Sequence, residues 1–264
     1  MPRFAANLTT MYPEFEVPDR FEQARLDGFR AIELLFPYNL DANELAHALE
    51  STGLEYLLLN TPLGDAPAGE RGLGAMPGRE REFREGFEAS LDYARRLGVS
   101  LVHVMAGVVP AGASPAECEA TLIDNLRKVA PEAASAGITL LLEPLNFEDT
   151  PGYLYATSDA AVRIIEAAGL DNLKLQFDFY HLQITEGNLA AGLRRHFDAI
   201  GHLQFSSVPG RHEPQHGEVN LPYLFNVVDE TGYGGWIGCE YRPKASTAEG
   251  LTWAHPYGLG LRDD

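Results

Sequence analysis

Three acidic residues and one amide end apolar runs in the second half of the chain. Thr139-Leu140-Leu141-Leu142 leads into Glu143, Leu173-Lys174-Leu175-Gln176-Phe177 into Asp178, and Trp236-Ile237-Gly238-Cys239 into Glu240. Gly201-His202-Leu203 leads into Gln204 at the equivalent place. The four lie 35, 26 and 36 residues apart, about one strand–helix unit each. Carboxylates brought together repel one another and raise each other's pKa unless positive charge offsets them. A divalent cation does this, and an all-oxygen donor set favours Mg2+ or Mn2+. Zn2+ is admitted but less favoured, because the set holds no imidazole or thiolate. Any one of these residues alone reads equally well as a helix N-cap or a solvated loop start. Three in consecutive units, with an amide in step, read as a metal site.

Other side chains could serve such a site. His181 follows Asp178 by three residues and is expected on the loop beside the metal, touching a ligand or the substrate. Arg211, in Pro209-Gly210-Arg211-His212, and Arg71, in Gly69-Glu70-Arg71-Gly72, are arginines flanked by glycine. Each reads as a fork for a substrate carboxylate or as a surface ion-pair partner. His202 and His103 lie inside strands and read as hydrogen-bonded core histidines. Cys239 reads as a packed thiol, since no base and orienting group point to it.

The elements that must place these residues follow from periodicity. Short runs rich in Val, Ile, Leu, Phe and Tyr predict strands at 4–8, 31–35, 56–60, 101–106, 138–143, 173–178, 200–205 and 236–240. Gly28, Gly53, Gly98, Gly137 and Gly169 stand where the preceding helices should stop. Phe83, Phe87, Leu91 and Ala94 recur at helical spacing within 81–97. Ser114-Pro115-Ala116-Glu117 reads as an N-cap with a proline and an acid in the first turn, and Thr157 or Ser158 as a later cap. Strict strand–helix alternation through eight repeats predicts a single (β/α)8 TIM barrel over residues 1–264. An open doubly wound sheet is the runner-up, and no glycine-rich phosphate fingerprint follows the first strand to support it. In a barrel the strand-end residues converge at the C-terminal mouth. The long connections 61–78 and 206–220 follow strands, so they too belong to that face.

Composition limits the function classes. The chain has 264 residues, 45% of them hydrophobic, and a formal charge of −18. Nucleic-acid binding needs a basic face, so no nucleic-acid partner is expected. Two cysteines in unlike surroundings argue against a disulfide framework and suit a reducing cytoplasm. The first residues lack a signal-peptide stretch, and no run approaches the ~20 apolar residues of a membrane span. A cytoplasmic protein is expected, with no membrane partner and with self-association into a homo-oligomer allowed.

With these residues in view, the sequence resembles the hydroxypyruvate isomerase group of the xylose-isomerase-like barrels over nearly its whole length. The resemblance is carried by Glu143-Pro144-Leu145-Asn146, residues 174–181, Gly201-His202-Leu203-Gln204, Val208-Pro209-Gly210-Arg211 and Gly238-Cys239-Glu240-Tyr241. The loop stretches Gly69-Glu70-Arg71-Gly72-Leu73 and Pro77-Gly78-Arg79-Glu80 add to it. It implies a metal held by Glu143, Asp178, Gln204 and Glu240, with the two glutamates also acting as the acid/base pair. It implies a small 2-oxo acid or sugar acid as substrate. Two departures bear on substrate identity: Phe147-Glu148 replaces an expected basic pair, and Ala66 an expected aromatic.

The chemistry so implied is an aldose–ketose isomerisation, hydroxypyruvate to tartronate semialdehyde, by proton transfer through a cis-enediolate. Alternatives of the same class are a 2-oxo-tetronate isomerase and a ketose epimerase. Alternatives of other classes are a non-catalytic sugar-acid binding protein and a metal-dependent DNA-repair nuclease. The nuclease would need a histidine-rich multinuclear site and a basic groove.

Overall fold

Eight short runs of β-branched, aromatic and leucine residues, each closed off by a turn, become eight parallel strands. A computed structural model describes residues 1–262. The strands are β1 (Arg3–Asn7), β2 (Ala31–Glu33), β3 (Glu55–Asn60), β4 (Leu101–His103), β5 (Thr139–Leu142), β6 (Leu173–Asp178), β7 (Ile200–Phe205) and β8 (Trp236–Cys239). They pair in chain order and β8 closes on β1, giving the expected (β/α)8 barrel. Helices α1 (Val17–Leu26), α2 (Ala42–Thr52), α3 (Glu80–Leu97), α4 (Pro115–Ser135) and α5 (Ser158–Ala168) follow the first five strands in alternation, except that α3 and α4 come after long mouth loops. Between β6 and β7 the chain forms two helices, α6 (Phe179–Thr185) and α7 (Leu189–His196). Helix α8 (Leu221–Thr231) precedes β8, and the short α9 (Thr247–Gly250) follows it.

Local sequence explains most boundaries. Ser114 and Glu117 form a full capping box at the start of α4, and Thr157 accepts from Ala160 N–H to cap α5. Helix α3 turns Phe83, Phe87, Leu91 and Ala94 inward as their spacing predicts. Burying each Phe is worth about 1.5–3 kcal/mol. Some boundaries differ from the sequence expectation, and β2 stops at Glu33 rather than at 35. His181 stands in the first turn of α6 rather than in a loop, because Asp178 Oδ1 accepts the Tyr180 N–H and starts a helix directly at the strand end. β4 is also shorter than expected. Beyond His103 the backbone turns to bond the loop after β3, with Gly74 N–H on Met105 O and Ala75 N–H on Ala106 O. Gly72 allows that approach: its φ is +120°, and a Cβ there would come within 2.3 Å of Met105 O.

The barrel interior is filled in tiers. Ala5, Ala31, Leu57 and Leu141 belong to a small apolar cluster separate from the main core. Two residues further along β1 and β2 stand Asn7 and Glu33, on the same face by the period of two. Glu33 bonds His202, two residues before Gln204 on β7 and so a tier beneath the strand-end cluster. The register pairs Asn7 with Glu33 and Asp178 with Gln204. It slips between Ile32 and Glu33 and between Leu175 and Gln176, which re-aims side chains next to the polar interior. Among the described residues no helix is long and apolar enough to cross a membrane.

Candidate metal centre and active site

Glu143 follows β5, Asp178 ends β6, Gln204 lies in β7 and Glu240 follows β8, so all four stand at the barrel mouth. All are buried; Glu143 is 4% exposed and Glu240 7%. Ligand atoms of Glu143, Asp178 and His181 lie within 4.8 Å of one another. Among the described residues Glu143 Oε1 and Asp178 Oδ2 meet no hydrogen-bond donor. A buried carboxylate oxygen without a donor is costly, and a hard cation supplies what it lacks. The donor chemistry therefore fits a divalent metal.

The electrostatics agree. Burial raises the Glu143 pKa well above the carboxylate range, and the Glu240 and Asp178 charges raise it further. Burial lifts Glu240 to about 7 and Asp178 to about 6, with the Arg211 guanidinium pulling both back. Among the described residues Arg211 is the one arginine or lysine paired with these carboxylates. Its Nη2 lies 2.5 Å from Glu240 Oε1 and 3.6 Å from Asp178 Oδ2, and its guanidinium stacks 4.8 Å from the Tyr180 ring centroid. Its backbone is held in the left-handed region, φ +56°, which costs a non-glycine residue about 1–2 kcal/mol. Two backbone bonds enforce this geometry: Arg211 N–H to Ser207 O, and Arg242 N–H to Arg211 O.

His181 sits in the cluster with a defined tautomer. The backbone N–H of Asn146 points at its Nδ1 over 3.1 Å, and a backbone N–H can only donate. Nδ1 is therefore the acceptor, and in the neutral ring Nε2 carries the hydrogen, 3.7 Å from Asp178 Oδ2. Burial first, and then the Arg211 charge, holds the His181 pKa well below its usual value, so the ring is neutral. A protonated Nε2 offers a hydrogen-bond donor rather than a lone pair. His181 thus suits a substrate oxygen better than a metal.

The remaining residues named from sequence are placed as follows. His103 Nδ1 lies 3.3 Å from Glu143 Oε2, and burial holds its pKa near 3. His202 bonds the carboxylate of Glu33. Arg71 donates to Ala66 O and Glu70 O, carbonyls of its own loop, and makes no contact with the carboxylate cluster. Cys239 is buried, and burial raises its thiol pKa. Glu33, Asn7 and Gln176 were not singled out from sequence, yet they form a buried network beneath the mouth. The available signal was an acid within the apolar run Ala31-Ile32-Glu33-Leu34-Leu35.

The family model described as "Xylose isomerase-like TIM barrel" matches residues 21–257. The chain belongs to the xylose isomerase-like TIM barrel family. Within this family it is 52% identical over 257 residues to the 2-oxo-tetronate isomerase of Cupriavidus necator, covering 97% of this chain and 99% of that one. It is 45% identical to the hydroxypyruvate isomerase of Escherichia coli, covering 97% and 100%. A crystal structure titled AP endonuclease, family 2, from Brucella melitensis superposes with a TM-score of 0.95 at 44% identity over the whole of both chains. Homology at this level and the carboxylate cluster make this member of the family an enzyme of isomerase type.

Proposed function

We propose that this protein is a divalent-metal-dependent isomerase that moves the carbonyl of hydroxypyruvate from C2 to C3, giving tartronate semialdehyde. The observation that carries this reading is the pair of buried, unpartnered oxygens, Glu143 Oε1 and Asp178 Oδ2, gathered with His181 beside Arg211. Glu143, Asp178, Gln204 and Glu240 would hold the cation, and their oxygen donors favour Mg2+ or Mn2+ over Zn2+. When bound, the cation supplies counter-charge to the adjacent carbonyl and hydroxyl oxygens of the substrate and acidifies the C–H bond between them.

The residues then divide the work. One of the two glutamates, Glu143 or Glu240, takes the C3 hydrogen as a proton, and the electron pair left behind closes the C2–C3 double bond of a cis-enediolate. The other glutamate delivers a proton to C2. The hydroxyl hydrogen passes from the C3 oxygen to the C2 oxygen, so no outside oxidant or reductant is needed. The Nε2–H of His181 donates to a substrate oxygen. Arg211 forks the substrate carboxylate, with Tyr180 holding its guanidinium plane, and Arg71 is the second candidate anchor.

A second substrate reading is favoured by the 52% identity to a relative named 2-oxo-tetronate isomerase. 2-Oxo-tetronate undergoes the same C2-to-C3 carbonyl shift and differs from hydroxypyruvate by one hydroxymethyl group on C3. Phe147-Glu148 and Ala66, on the mouth loops, are where such a group would be discriminated. The name given to the Brucella melitensis structure raises a nuclease reading, which a formal charge of −18 disfavours because nucleic-acid binding needs a basic face. The test is to incubate purified protein with each acid in D2O, with and without Mn2+. Metal-dependent isomerisation with deuterium entering at carbon supports the proposal, and the higher kcat/KM names the substrate. Absence of both isomerisation and exchange with either acid would overturn it. Tight acid binding without metal dependence would point instead to a non-catalytic binder.

A further inference from the structure

Beneath the metal cluster lies a second buried carboxylate with a different environment. Glu33 in β2 is fully buried, and both its oxygens are engaged. Oε2 accepts from Asn7 Nδ2 at 2.9 Å and from Gln204 Nε2 at 2.8 Å, and Oε1 bonds His202 Nε2. On its other side the Gln204 amide meets Gln176, whose Nε2 donates to Gln204 Oε1 over 2.5 Å. The space for Glu33 is made by Gly238 in β8, where a Cβ would come within 2.1 Å of Glu33 Oε1.

We propose that Glu33 is a positioning residue for the metal: it dictates which end of the Gln204 amide can bind a cation. The inference rests on the reading of Gln204 as a metal ligand. Two amides facing each other, Gln204 and Gln176, can pair in either sense, because each end can be donor or acceptor. A carboxylate only accepts, so Glu33 removes that ambiguity. It commits Nε2 of Gln204 downward and leaves Oε1 as the ligating end. Gln176 takes one lone pair of Oε1, and a carbonyl oxygen has a second. Gln176 follows in turn, since its Nε2 must face an oxygen. Glu33 thus reaches the metal through Gln204 without touching metal or substrate.

The test is Mn2+ affinity, measured without substrate by electron paramagnetic resonance of free Mn2+, on folded protein checked by circular dichroism. Glu33→Gln can pair with Gln204 in either sense and should weaken Mn2+ binding roughly 10–100-fold, the range for groups that orient metal ligands. Gln204→Leu should weaken it at least as much, and adding E33Q to Q204L should change nothing further. The exchange variant E33Q/Q204E restores a one-way donor–acceptor pair with the ends reversed. It should bind Mn2+ within about threefold of the parent, and more tightly than either single variant. If Q204L leaves the affinity unchanged, Gln204 is not a ligand and both readings fall. If Q204L weakens binding but folded E33Q does not, the role of Glu33 alone falls. If E33Q does not fold, the exchange variant decides. Affinity above that of Q204E supports the coupling, and affinity equal to that of Q204E or as weak as that of Q204L overturns it.

Discussion

The barrel buries two groups of carboxylates one tier apart, and they are treated in opposite ways. Glu33, in the lower tier, is met by Asn7, His202 and Gln204. Glu143 and Asp178, in the upper tier, each keep an oxygen with no donor among the described residues. Burial depth does not separate the groups, since Asp178 is as buried as Glu33. Partnering does. A buried carboxylate surrounded by donors holds structure in place. Carboxylates left short of donors, with burial and like charge raising their pKa, are poised for a cation or a proton.

If the upper tier is the reacting one, Glu143→Gln and Glu240→Gln should each lower turnover by about 10²–10⁴-fold while the protein stays folded. Retention of more than about a tenth of the parental kcat in either variant would break the acid/base assignment.

Next in size is the anchor. Arg211→Gln removes the counter-charge to Glu240 and Asp178 as well as the proposed fork for the substrate, so KM should rise about 10–100-fold, the worth of a charged hydrogen bond. An unchanged KM would move the carboxylate anchor elsewhere.

The upper tier should also govern how metal-free protein responds to pH. Burial raises the Asp178 and Glu240 pKa values to about 6 and 7 in the fold, above those of an unfolded chain. Their contribution to stability is full below the unfolded values, near 4, and is lost as pH rises through 6 and 7. Buried His103 and His181, whose pKa values burial lowers, act in the opposite sense up to their ordinary value of about 6.5. Metal-free protein should therefore melt at a lower temperature at pH 8 than at pH 6.5, by about 2–4 °C for each kcal/mol lost. Saturating Mn2+ should flatten this slope, because the cation favours the ionised carboxylates. A melting temperature that rises from pH 6.5 to pH 8 without metal would contradict the raised values.

The smallest effect is expected at Arg71, whose hydrogen bonds go to carbonyls of its own loop. Arg71→Ala should change KM only about threefold, as for an ordinary hydrogen bond. A rise matching that of the Arg211 variant would make Arg71 a second anchor that reaches the substrate when the loop moves.

Much of the frame was legible in the sequence, because strand runs, caps and helix faces are local patterns. All eight strands were located to within a few residues, and Thr157 and Ser114 cap the helices their context predicts. Strand-end spacing brought Glu143, Asp178, Gln204 and Glu240 to one mouth in advance. The α6 helix was missed because Asp178 has two oxygens with separate uses. One caps the helix, and the other faces the cluster.

What the sequence by itself determined, then, is which side chains reach the mouth of the barrel, since a period of two and a repeat of one strand–helix unit suffice for that. Only the tertiary structure decided what each one meets there. Gln204 is oriented by Glu33 from 171 residues away, and the tautomer of His181 is set by a backbone N–H 35 residues away. Hydrogen-bond partnership between distant strands depends on register and barrel closure. No local pattern encodes it, and it separates the carboxylate met by donors on both oxygens from those left short of them.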